Sequence, residues 1–127
     1  MAAARSLHTA TLLKDGRVLV AGGYGFGYQG VAFAELYDPA TGKFTATEPM
    51  PATQDSRSAT LLPNGRVLFV GNGTAAAEVF DPGSGALSAT GSMVFSRYSA
   101  WAFLLDTGQV LVVGGDTTGA AAEIYQP

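Results

Sequence analysis

The chain has 127 residues, of which 47% are hydrophobic and 13% charged, and its length and apolar content suit one ordered domain rather than a disordered segment. A net charge of −3, with two lysines and five scattered arginines, offers no basic stripe for nucleic acid. The absence of cysteine excludes disulfides, thiolate metal sites and a cysteine nucleophile, and no run approaches the roughly 18 consecutive apolar residues of a membrane span.

In chain order, the first expected strand, a, covers Leu7 to Leu13, and Asp15-Gly16 suits a two-residue type I′ hairpin into strand b, Val18-Leu19-Val20. There follows Gly25-Phe26-Gly27-Tyr28-Gln29-Gly30, which fits the dinucleotide fingerprint G-x-G-x-x-G. A phosphate-binding loop of that kind requires a helix next, because the helix N-terminus stabilises the pyrophosphate charge. Val31 to Pro39 supplies β-prone types instead, so the fingerprint is read as a chance spacing. Strand c ends at Asp38-Pro39, where Asp accepts turn hydrogen bonds, Pro fixes φ and Gly42 takes the left-handed conformation. Strand d is Lys43 to Thr47.

The same elements then recur. Strands a return as Ser56 to Leu62 and Tyr98 to Leu105, with Asn64-Gly65 and Thr107-Gly108 at their turns, and a second strand d spans Ala86 to Thr90. Arg17-Val-Leu-Val-Ala-Gly22 matches Arg66-Val-Leu-Phe-Val-Gly71 and Gln109-Val-Leu-Val-Val-Gly114. Ala34-Glu-Leu-Tyr-Asp-Pro39 matches Ala77-Glu-Val-Phe-Asp-Pro82 and Ala122-Glu-Ile-Tyr-Gln-Pro127. Met1, Met50 and Met93 each precede the glycine ending strand b by 21 residues, whereas the step from that glycine to the glutamate is 13, 7 and 9 residues. One loop, between strands b and c, therefore absorbs the length variation. Four short antiparallel strands at a period of 43 to 49 residues predict β-propeller blades.

Arg5-x-x-His8-Thr-Ala-Thr-Leu-Leu, the turn glycine, Gly22-Gly23, the Glu-x-aromatic-Asp-Pro segment and Met50 or Met93 together resemble the kelch repeat, in the bacterial form related to the propeller domain of galactose oxidase. The resemblance covers essentially the whole chain. It departs at Asn72, which replaces a second glycine, at Phe44 and Leu87, where many kelch repeats have Trp, and at Gln126, which replaces the Asp. The expected fold is all-β, a propeller segment of about 2.75 kelch-type blades: residues 5–49, 54–92 and 97–127, the last lacking strand d. A propeller closes with typically four to eight blades, so the expectation is a fragment of a longer protein or a chain that self-associates to close a ring. The expected interblade core is Leu12, Leu13, Val18, Val20, Leu36, Leu62, Val67, Phe69, Leu104, Val110, Val112 and Ile124, with Trp101 filling space between blades.

In such a blade the b-c loop and the connection from d to the next a share one end. That end collects Tyr24, Phe26, Tyr28, Arg5, Gln54, Arg57, Arg97, Tyr98 and Asp116, a candidate face for a protein or carbohydrate. Two alternatives stand beside this reading: the three loop aromatics fold back as a local cap, and Arg5 and Arg97, which share a repeat position, bind blade carbonyls. Glu35, Glu78 and Glu123 also recur and point to architecture, and the lone His8 reads as a packing residue. No zinc spacing and no Gly-x-Ser-x-Gly elbow is present, and no cofactor is expected for this segment. The resemblance implies one enzymatic alternative, part of a secreted copper-radical oxidase of the galactose or glyoxal oxidase kind. Those enzymes hold copper with two Tyr and two His, one Tyr crosslinked to Cys, so the ligands would lie outside this segment. A secreted or surface location is likewise implied by resemblance alone.

Overall fold

A computed structural model of the chain describes residues 1–50, 58–117 and 121–127. Among the described residues there is no α-helix, and the strands form stacked antiparallel sheets. The first sheet runs β1 (Thr9–Leu12), β2 (Val18–Ala21), β3 (Phe33–Asp38), β4 (Lys43–Pro49) in spatial order. The second contains β5 (Ser58–Leu61), β6 (Val67–Val70), β8 (Glu78–Phe80) and β9 (Leu87–Ala89). Between β6 and β8, β7 (Asn72–Thr74) leaves the sheet to pair with β10 (Arg97–Tyr98), tying the second blade to the entry of the third. The third sheet has three strands, β11 (Trp101–Leu104), β12 (Val110–Val113) and β13 (Ala122–Tyr125). The chain is an all-β propeller segment of antiparallel blades.

Alternation along strand b decides how the blades stack. Leu19 and Ala21 of the first blade meet Val67, Phe69 and Phe80 of the second, and Leu36, Leu61 and Leu87 flank this cluster. The intervening residues Leu68 and Val70, with Val79, point the other way and meet Val110 and Val112 of the third blade, with Tyr125 beside them. The second blade is thus apolar on both faces. Side-chain oxygens reinforce the second seam: Ser58 Oγ accepts from Ala102 N–H at 3.0 Å, and Thr90 Oγ1 lies 2.8 Å from Tyr125 Oη.

Several expected core residues are placed otherwise. Leu13, Val20, Leu62, Val67, Phe69, Val110 and Val112 are buried, but Leu12 is 65% exposed, and Leu104 and Ile124 are exposed as well. Leu12 and Ile124 lie on the outer faces of the first and third blades, which none of the described strands covers, and Leu104 sits at the turn end of β11. Trp101, 69% exposed, also lies on an outer face rather than between blades. His8 is exposed rather than packed, and lines an open cleft of about 640 Å³ between β1, β5 and β11.

The a-b turns differ from the type I′ expectation. Leu13 N–H donates to Arg17 O and Gly16 N–H to Leu13 O, which encloses three residues, and only the glycine has positive φ (+88°). The same pattern recurs at Leu62–Arg66 and Leu105–Gln109. This is a type I turn followed by a left-handed glycine. Asp15 Oδ1 and Asn64 Oδ1 accept the N–H two residues on, from Arg17 and Arg66, each at 3.0 Å, which explains the residue types without any positive φ at them. The c-d turns follow the expected chemistry: Gly42 and Gly85, at φ +68° and +73°, donate to Asp38 O and Asp81 O.

The first and third strands a are shorter than expected because Leu7 and Ser99, equivalent in the repeat, adopt φ of +55° and +51°, while Ser56 and Arg57 of the second lie outside the described residues. The kink carries the chain across the second glycine after strand b. A Cβ on Gly23 would collide with the Ser6 carbonyl and come within 2.9 Å of His8 N, and Gly115 faces Tyr98 and Ala100 in the same way. Gly23→Ala is expected to lower stability by about 1–3 kcal/mol in urea unfolding, since strain and backbone collision act together. Gly16→Ala, with nothing within 4 Å, should show only the roughly 1 kcal/mol left-handed cost. Equal losses would mean that the close approach contributes nothing.

Candidate functional site

The end of the blades that carries the b-c loops is built on a repeated clamp. Arg5 Nη1 donates to Gly22 O and Phe33 O, both at 3.1 Å, so one guanidinium joins the end of strand b to the start of strand c. Its Nη2 pairs with Glu35 Oε2 at 2.9 Å with both side chains fully buried, and the group lies 5.3 Å from the centre of the Phe33 ring. Glu35 Oε1 accepts the Ala2 N–H at 2.6 Å and thereby holds the segment preceding strand a. In the third blade Arg97 Nη1 donates to Gly114 O at 2.5 Å and Ala121 O at 3.0 Å, Arg97 Nε donates to Glu123 Oε1 at 2.8 Å, and Glu123 Oε2 accepts from Val94 N–H at 2.7 Å. Burial opposes ionisation of Glu35, but the Ala2 N–H, the Arg5 hydrogen bond and the Ala3 N–H outweigh it and hold its pKa below the ordinary carboxylate value.

This placement corrects the inclusion of Arg5 and Arg97 among ligand-facing groups. Both guanidiniums are enclosed and committed to carbonyls and carboxylates, the architectural alternative. Gln54 and Arg57 lie outside the described residues. Asp116 is half-buried, its Oδ1 accepting the Ala121 N–H at 3.4 Å within its own loop.

Above the first clamp stands the inserted loop. Tyr24 is half-buried: its N–H and C=O pair with Ser6 at 2.9 Å each, and it bridges to Gly30 across the loop stem. Gly25 N–H donates to Gln29 O at 2.8 Å and Val31, buried, donates to Gly23 O. The stem is therefore ordered backbone, and Phe26–Tyr28 forms a 3₁₀ turn at its tip, with Gly27 and Tyr28 at φ +74° and +58°. Phe26 is 98% and Tyr28 89% exposed. Of the three aromatics only Tyr24 behaves as a cap.

Tyr98, 68% exposed, lies with its ring against Gly73 of the second blade, where any Cβ would collide with it. Val94 and Phe95, in the connection after Met93, are also exposed at this end. Sequence reasoning passed over them, although a signal existed: Ala2-Ala3 and Pro51-Ala52 occupy the same repeat positions, so two large apolar residues there are a departure. At the opposite end, a groove of about 500 Å³ runs among Lys14, Asn64, Arg66 and Asp81. Its charges are satisfied internally, Arg66 with Asp81 at 3.3 Å and Lys14 with Pro63 O. Asp15 and Asp81 are held below the usual carboxylate range, the first by the Arg17 side chain and the second by the Gly83 N–H.

No family model matches the chain, and no curated protein matches it. Among solved structures, a fungal alcohol oxidase of the AA5 family, determined in complex with copper, aligns with 97% of this chain at a TM-score of 0.72 and 24% identity. The likeness is one of fold. The chain spans 28% of that protein's length. Its residues do not fit a copper site: the chain has one His and no Cys, and among the described residues no three His, Asp or Glu gather as a metal group.

Proposed function

We propose that this chain is a non-catalytic, kelch-type interaction module whose b-c loops and d-a connections bind a protein or carbohydrate. The observation that carries the reading is the near-complete exposure of Phe26 and Tyr28 on a loop whose stem is hydrogen-bonded and clamped. Rigid aromatics held out on ordered backbone lose little conformational freedom on binding and offer large contact area. The carboxyls Asp15, Glu35 and Asp81 are all shifted toward the ionised form, the opposite of what a general acid requires. Screening the purified chain on glycan and peptide arrays should yield a ligand whose affinity falls about 30-fold or more in the Phe26→Ala, Tyr28→Ala double variant, the scale of an interface hot spot. The same variant should unfold within about 0.5 kcal/mol of the parent chain. Unchanged affinity for the ligand found would remove these residues from the site.

A second reading draws on the fold likeness to the AA5 alcohol oxidase: the chain as the propeller portion of a larger secreted copper-radical oxidase, its metal ligands supplied by other segments. Reading the open reading frame on either side separates the two. Further blades with His, Tyr and Cys ligands favour the oxidase, and blades without them favour the binding module.

A further inference from the structure

Among the described residues, three that are not glycine have positive φ: Leu7, Tyr28 and Ser99. A left-handed backbone costs free energy at any residue with a Cβ, so each needs a reason. Leu7 and Ser99 share one repeat position and carry the chain across Gly23 and Gly115, where a Cβ would collide with backbone. Their strain is architectural. Tyr28 has no such account. It lies in the stretch by which the first b-c loop exceeds the other two, its side chain is 89% exposed, and Gly27 beside it, also left-handed, has nothing within 4 Å of the position of a Cβ. No close approach therefore imposes the conformation on Tyr28, and a ring so exposed gains little from its own chain to offset the cost. A glycine or an asparagine would take the same turn with less strain.

The loop presents a particular chemistry. From Val18 to Ala34 there is no charged residue. At the tip Phe26, Tyr28 and Gln29 are exposed, and the Gln29 backbone is fixed by accepting the Gly25 N–H. These side chains offer two ring faces, a phenol hydroxyl and a primary amide that both donates and accepts. A hexopyranose has the complementary groups: C–H faces that lie on an aromatic ring, and neutral hydroxyls that pair with an amide. An acidic sugar or a charged peptide finds no counter-ion in this loop. We infer that Tyr28 is the specificity-determining residue of the loop, its ring set out by the left-handed turn to stack on a sugar of a neutral glycan, with the Gln29 amide reading the adjacent hydroxyls. Holding the ring in place beforehand moves the ordering cost from binding to folding. The inference rests on the loop-binding reading and narrows its protein or carbohydrate ligand to the second.

Calorimetric titration of the purified chain with neutral hexasaccharides of glucose, of mannose and of galactose, and with the galacturonic acid hexasaccharide, tests this. At least one neutral sugar should bind and the acidic one should not. Tyr28→Asn should weaken binding of that sugar about tenfold, and Tyr28→Phe, which keeps the ring, by no more than about threefold. Without ligand, Tyr28→Asn should raise the urea midpoint by about 0.3 M, because asparagine tolerates the left-handed conformation, whereas Phe26→Asn should not raise it. Failure of all the neutral sugars, preference for the acidic one, equal affinity of parent and Tyr28→Asn, or an unraised midpoint for Tyr28→Asn would overturn the inference. A peptide ligand whose binding is lost in the Phe26→Ala, Tyr28→Ala double variant would also overturn it while leaving the loop-binding reading in place. A ligand indifferent to both residues removes the two together.

Discussion

Replacing Glu35 with Ala is expected to cost about 3–5 kcal/mol of unfolding free energy at neutral pH, the usual result of stranding one partner of a buried ion pair. Arg5 would keep its two carbonyl acceptors but lose its carboxylate partner, and the Ala2 N–H would lose its acceptor. Glu123→Ala, at the equivalent place in the third blade, should cost less, because the Glu123 side chain is 17% exposed and its pairing with Arg97 is less completely removed from water. A double variant, Arg5→Met with Glu35→Leu, removes both charges and should recover much of the loss. The pH dependence follows from the depressed pKa of Glu35. Its contribution is fully present above the unfolded carboxyl value of about 4.3 and is lost as pH falls through the folded value. Urea unfolding of parent and Glu35→Ala should therefore show a gap at pH 7 that narrows in acid. A gap of constant size would mean that packing, not charge, accounts for it.

Phe69→Ala should be comparably damaging, at about 3–5 kcal/mol, through lost transfer energy and the cavity left behind. Phe69 is 2% exposed and lies in the middle blade, where it contacts the cluster supplied by the first. The matched control is Phe26→Ala, the same deletion at a side chain 98% exposed, expected within about 0.5 kcal/mol of the parent. Thermal or urea unfolding reads both. A small effect at Phe69 would imply that the first and second blades are not packed through this ring.

Repetition made most of this architecture legible. Recurrence at one position, as of Arg5 with Arg97 and Glu35 with Glu123, raises an architectural alternative before any coordinates without deciding it for the arginines. Their pairing is not legible, because the partners are 30 and 26 residues apart and come from different segments of the blade. Alternation in Val18–Ala21 shows which residues share a face but not whether anything covers it. Leu12 and Ile124 therefore read as core by pattern, although they are exposed in the structure. The a-b turns depart from the type I′ expectation because Asp-Gly and Asn-Gly suit two turn geometries, and here the Asp15 and Asn64 side chains accept from the residue two places on. At the candidate site, the insertion pointed to Phe26 and Tyr28, whereas the commitment of Arg5 to its own blade appears only when Gly22, Phe33 and Glu35 converge on it.

That convergence makes the stretch above the clamp a natural grafting port. Because one guanidinium closes the two stems at their root, the residues between Gly23 and Val31 hang from a junction whose geometry does not depend on their number. Foreign segments of varied length could be installed there with the scaffold's melting behaviour preserved. A lineage using this repeat could change what a blade displays by insertion alone, leaving the sheets beneath untouched.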